Sequence, residues 1–151
     1  MTPAQQSALE ALVGRALTAI EIAAIDPLMP ARNDVAIAAV LSVGRVRVEP
    51  RRVGIGTILA TMRPNGGAFL DALEQLATTD SNVKWTLKLI EQSNFDIGLP
   101  ATREELTAFA SEHPALGANI DALLAVAQID DPINYNAVSD ALNIAEGRLT
   151  L

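Results

Sequence analysis

Helix-breaking residues recur so closely along this chain that mostly short helices fit between them. Asp26-Pro-Leu-Met-Pro30, Gly44, Pro50, Pro64-Asn-Gly-Gly67, His113-Pro114 and Asp131-Pro132 each bound or interrupt a segment. Proline lacks the N–H that a helix interior needs, and glycine readily takes the left-handed conformation that closes a helix. Between the breaks, apolar residues recur at three- and four-residue spacing, the period of a helix buried on one side. Half of the chain is apolar but only 3% is aromatic. Small aliphatic side chains must therefore supply the contacts, which suits closely packed helices.

The first segment is free of breakers for longest. Thr2 caps it, Pro3 suits its first turn, and Leu9, Leu12, Ala16, Ile20 and Ala23 share a face, which predicts one helix of about six turns ending at Asp26-Pro27. Asn33 or Asp34 then caps VAIAAVLS, which Gly44 ends. Val46 and Val48 alternate with Arg45, Arg47 and Glu49, the pattern of a half-buried strand, and Pro50 restricts it to a short piece at an edge. Helical spacing returns in GIGTILATM, in GAFLDALEQLATT and in NVKWTLKLIEQ, where Ser81 or Asn82 is the expected cap and Val83, Leu87 and Ile90 the expected core face. Thr102-Arg-Glu-Glu105 has the spacing of a reciprocal capping box. A helix over 115–128 and a last one opened by Asp131-Pro132 complete the series.

The fold class expected is mainly α: a single compact bundle of seven or eight short helices plus the long N-terminal one, with at most a short β element near 45–53. At 151 residues one core suffices. One domain over 1–151 is expected, with sub-lobes 1–95 and 101–143 divided near Asp96–Ala101, and a flexible tail over 144–151.

Chemistry-bearing residues are sparse. There is no cysteine, so disulfides and thiolate metal sites are excluded. The one histidine, His113, sits at a predicted helix end without a partner. Glu104, Glu105, Asp121, Asp130 and Asp131 occupy helix starts or exposed faces, where carboxylates serve as caps and dipole partners. Gly54-Ile-Gly56 opens a helix after a strand, but Leu59 stands where a dinucleotide-binding turn needs its third glycine. Those glycines are expected instead to let the chain leave the strand at an unusual backbone angle. No catalytic residue, cofactor or metal is expected, and the chain reads as a non-enzyme. No run of about 18 apolar residues suggests a membrane span. The N-terminal MTPAQQSALEALVGR lacks the basic start of a secretory signal, so a soluble, intracellular protein is expected.

Charge is the remaining signal. The net charge is −7, yet residues 1–63 carry seven Lys or Arg against five Asp or Glu, and residues 64–151 carry four against thirteen. RVRVEPRRVG at 45–54 concentrates Arg45, Arg47, Arg51 and Arg52, which become the candidate partner-binding residues. On a strand edge such arginines also discourage pairing with another copy. Used on phosphates, with Arg32 and Arg63, they would make a nucleic-acid-binding or regulatory protein, the alternative reading. An enzyme built on an unrecognised carboxylate site is the third.

NDVAIAAVLS (33–42), VEPRRVGIGTILATM (48–62), FDIGLPATREELTAFA (95–110) and QIDDPINYNAVSDALN (128–143) follow one another in an order that resembles small helical proteins of unknown function encoded in tailed bacteriophage and prophage genomes. Asp96-Ile97-Gly98 matches the turn that the family places before its C-terminal helices, and SEHPALGANIDALL (111–124) departs from its pattern. The resemblance implies a virion structural component or assembly factor, found in the particle or in the host cytoplasm. Its partners would be other phage structural proteins or itself, and it implies no catalytic residues.

Overall fold

A computed structural model describes residues 1–148 and is mainly helical. The elements are α1 (Pro3–Val13), α2 (Ala19–Ile25), α3 (Asp34–Ser42), β1 (Val46–Val48), β2 (Arg52–Val53), α4 (Ile55–Thr61), α5 (Gly66–Leu76), α6 (Ser81–Glu91), β3 (Phe95–Asp96), α7 (Pro100–Glu112), α8 (Gly117–Ala125), β4 (Gln128–Asp130) and α9 (Tyr135–Ala145). Two 3-10 turns, Asp26–Leu28 and Pro114–Leu116, stand at the expected prolines. The chain divides into two units: Met1–Val46 together with the segment from Asp130 onward, and Arg47–Ile129.

The first unit is built from the two ends of the chain. Here α1 and α3 pack on α9, and α2 on α3, around a core of Leu9, Leu17, Ile25, Ile37, Leu41, Val138 and Leu142. The expected six-turn helix is in fact two. Gly14 closes α1 at a left-handed φ of 73°, and Thr18 starts α2 with a capping box completed by Glu21. Breaking the helix brings Leu9, Leu17 and Ile25 to one core, whereas Ile20, assigned to the core face by period alone, is 82% exposed.

Ionic contacts hold the break in shape. Arg15 forks onto Glu21 at 2.6 and 2.9 Å, and the same carboxylate accepts the Thr18 N–H at 2.8 Å. The guanidinium first, and the N–H second, hold the Glu21 carboxyl down to about 2. Glu10 is lowered as well, by the Gln6 amide and the Leu17 N–H.

The last helix does not join a C-terminal lobe with α7 and α8, because its Val138 and Leu142 are buried in the first core. The division expected near 96–101 falls inside the second unit. Residues 144–148 are also tied down rather than loose: α9 runs to Ala145, Glu146 pairs with Arg32 at 2.7 Å, and the Arg148 N–H bonds to the Asn143 carbonyl at 2.8 Å. The remainder of the expected tail, 149–151, lies outside the described residues.

In the second unit α5 packs on α4 and α6, and α8 on α4 and α7. Val53, Ile58, Phe69, Leu73, Ile90, Ile97, Ile120 and Leu123 form its core. The strand expected near 45–53 is two strands with different partners. β1 pairs with β4, and β2 pairs antiparallel with β3 in the register Arg52↔Asp96 and Val53↔Phe95. No face of β1 is buried: Val46 and Val48 are 50% and 41% exposed, and only Val53 of β2 reaches the core.

Three helices start elsewhere than expected. Asp80, not Ser81 or Asn82, caps α6, its Oδ1 accepting the N–H groups of Asn82 and Val83. Pro100 starts α7 before Thr102 is reached, so the expected capping box does not form. Asn134 rather than Asp131-Pro132 opens α9.

Candidate functional site

The four arginines of the 45–52 stretch have different jobs. Arg45 belongs to the first unit, where its guanidinium reaches the Asp131 carboxylate at 3.1 Å and the Asp131 carbonyl at 3.3 Å. Arg47 pairs with Glu49 two residues on, at 2.8 Å, with both side chains about half exposed. Arg51 and Arg52 are exposed and form no ion pair among the described residues. Of the two accessory arginines, Arg32 is used up by Asp34, Glu146 and Asn143, and Arg63 is exposed after α4. What the 45–52 stretch leaves free in the second unit is therefore Arg51 and Arg52, with Arg47 beside its own counter-ion.

What the stretch does in the fold is carried by its backbone. Asp96 Oδ1 accepts the N–H groups of both Arg51 and Gly98 at 2.9 Å, and the Ile97 N–H bonds to the Arg51 carbonyl at 2.9 Å. Gly98 lies so close to the Glu49 carbonyl that a Cβ would overlap it and stand 2.6 Å from Pro50 Cα. The Asp-Ile-Gly turn is thus the seat on which Glu49–Arg52 rests. Gly54 serves a similar purpose. Its φ of −137° is ordinary, contrary to the unusual angle expected, but a Cβ there would collide with Ser93.

A second feature was not anticipated from the pattern. Between α6 and α7 the second unit is open, forming a recess of about 460 Å³. Phe69, Leu73, Ile90, Leu106 and Ile120 line its depth, and Trp85 and Leu89 of α6 stand at its edge. Trp85 is 60% exposed. Thr102, Glu105, Phe109 and Glu112 share one face of α7 and line the other side. Asp80, Glu105 and Glu112 are the charged residues of the lining, which includes no Lys or Arg.

The sequence did hold a signal for this site. Trp85 and Leu89 are four residues apart on the face of α6 away from Val83 and Ile90, so the helix is apolar on two sides. A helix buried on one side alone needs only one apolar stripe.

The carboxylates of the recess form a charged rim. Glu105 and Glu112 are exposed and seven residues apart, about 10 Å along the helix axis. Asp80 is engaged as a cap. His113, which ends α7, packs its ring on Phe109 with centroids 4.5 Å apart. Among the described residues no three His, Asp or Glu side chains gather as a metal-ligand group, and no helix is long and apolar enough to cross a membrane. No family model, curated protein or solved structure matches the chain.

Proposed function

We propose that this chain is a non-enzymatic protein of a bacteriophage or prophage that acts by binding other proteins, as a component of the particle or as an assembly factor. The observation that carries the binding part of this reading is the recess between α6 and α7, edged by an exposed tryptophan. Tryptophan is over-represented among the residues that dominate interface energies, and about 460 Å³ is within the usual range of binding recesses. The viral setting comes from the resemblance of the four sequence strings. Arg47, Arg51 and Arg52 add a cationic contact suited to an acidic neighbour.

Mass spectrometry of particles purified from the phage or induced prophage that encodes the chain tests the setting. Fixed stoichiometry in the particle supports a structural component. Presence in the lysate but not in the particle, together with a loss of particle yield on gene deletion, supports an assembly factor. A deletion that leaves both yield and infectivity unchanged rejects the reading.

Arg51 and Arg52, exposed and forming no ion pair among the described residues, favour one second reading, nucleic-acid binding. Fluorescence polarisation with duplex DNA at low and moderate salt decides it, because binding through phosphates weakens steeply with salt. No binding at low salt removes it.

A further inference from the structure

We infer that the recess between α6 and α7 is filled by α6 of a second copy, in a two-fold symmetric dimer whose Lys84 and Lys88 face the partner's Glu105 and Glu112. This deepens the protein-binding reading and rests on it. The recess selects its occupant by charge: its lining holds three carboxylates and no cation, over an apolar floor. The fitting partner is a helix with an apolar stripe flanked by positive charge, the helix-in-groove mode of recognition.

The chain carries such a helix. Among the described residues, α6 alone of the helices has two lysines, and they lie four residues apart beside a stripe whose two apolar members, Trp85 and Leu89, are also four apart. Residues at that spacing stack along one face, so α6 presents a cationic row next to an exposed apolar row. Lys88 Nζ sits 4.6 Å from the Trp85 ring centroid, which fixes one cation at the margin of the stripe.

Two-fold symmetry makes each patch serve twice. In a self-complementary interface the same surface of both copies meets, so that the pairing of one copy's α6 with the other's α7 occurs in both directions. On α7 the acidic pair is displaced to the outer side of the groove, because Leu106 points into the core and Phe109 is half-buried. The lysine row of α6 is exposed and stays outside its own recess, beside the stripe of Trp85 and Leu89. Apolar contact at the centre and ion pairs at the margin is the usual layout of a protein interface.

The test uses the full chain and two charge reversals, K84E/K88E and E105K/E112K, each checked for unchanged circular dichroism. Light scattering is expected to give a dimer mass for the natural chain, with the emission of the single tryptophan shifting to the blue as concentration rises. Each reversal alone is expected to give a monomer, since like charges then meet in both directions. An equimolar mixture of the two is expected to give a one-to-one dimer, because every reversed row meets its complement. A natural chain that stays monomeric at its highest soluble concentration overturns the inference while leaving the recess to a different protein. An oligomer that survives both reversals overturns it too, by placing the interface elsewhere. Reversed variants that remain monomers on mixing reject the pairing of these lysines with these glutamates.

Discussion

The side chain of Asp96 accepts the backbone N–H of Arg51 at 2.9 Å, across 45 residues of sequence. That bond joins the arginine-rich stretch to the Asp-Ile-Gly turn, and both ends of it were visible in the sequence as separate oddities. Glu49–Arg52 is thereby a braced segment whose Arg51 and Arg52 side chains are left over for solvent or a partner.

Removing the brace has a defined cost. Asp96→Ala leaves the N–H groups of Arg51 and Gly98 without their acceptor, and an orphaned donor costs about 1–3 kcal/mol when water does not replace the lost partner. Because the Arg51 end is exposed, the expected loss is about 1–2 kcal/mol in urea unfolding. A change within error would mean that the turn is held by something other than this carboxylate.

Gly98 faces a steric limit. A methyl group there would overlap the Glu49 carbonyl, whose backbone is fixed by its own N–H bond to the Ala127 carbonyl at 2.9 Å. Gly98→Ala should cost about 1–3 kcal/mol, the usual range for forcing atoms into a filled site. Gly67→Ala is the control, since Gly67 in α5 has open space about it and should gain a few tenths of a kcal/mol from the loss of chain freedom. Equal effects of the two in thermal unfolding would remove the steric explanation.

Much of the fold could be read from periodicity and breakers because most of its helices are bounded by residues whose chemistry acts locally. Thr2 and Asn33 cap as their side chains dictate, and Gly44, having none, takes the left-handed φ of 71° expected of it. The larger misreadings were non-local. Gly14 looks tolerable inside a helix until the core shared by Leu9, Leu17 and Ile25 requires the chain to break there. The partners of β1 and β2 lie far away in sequence, and no local pattern near 45–53 specifies them. The recess was hidden for a related reason: Val83, Leu87 and Ile90 already account for a core face, and only the fold leaves Trp85 and Leu89 of the same helix at an open edge.

The arginines themselves should separate in mutagenesis. Arg45 bonds both the carboxylate and the carbonyl of Asp131, so Arg45→Ala removes three polar contacts counting the long reach of 3.5 Å to the Val13 carbonyl. A loss of about 1–2 kcal/mol is expected, discounted because the pair is partly open to solvent and screened by salt. Arg47→Ala breaks only an exposed pair with Glu49 and should stay within about 0.5 kcal/mol. Equal losses for the two variants in chemical denaturation would contradict the structural role given to Arg45.

Acid should weaken the first unit through Glu21. Its carboxyl is held at about 2 in the folded chain against an ordinary value of 4.5, so the folded state prefers the ionised form. The sign follows from linkage: the stabilisation is complete above about pH 4.5 and is lost as pH falls toward 2, because the unfolded chain binds the proton first. Glu21→Gln keeps a capping-box side chain but cannot titrate, so the variant should be less stable at neutral pH and its stability should fall less between pH 5 and pH 2.5. Parallel stability curves for the two proteins over that window would show that Glu21 is not the group responsible.

Because Arg47–Ile129 is one continuous stretch with its own core, it should fold when expressed alone. Such a small fragment buries only about 60–65% of its unfolded surface, so its stability will be modest, but the buried set from Val53 to Ala127 comes entirely from within it. The isolated stretch should show helical circular dichroism, a cooperative urea transition, and the tryptophan emission of the full chain measured under conditions where both are monomeric. The two-ended first unit has no such route, since α9 must return from beyond residue 129 to meet α1 and α3. A core substitution there, Leu142→Ala, should cost about 2–5 kcal/mol and lower the unfolding of that unit while leaving hydrogen-exchange protection of Ile58 and Ile120 in the second nearly unchanged. A non-cooperative fragment, or protection lost equally in both cores, would show that the division into two units is not one of stability.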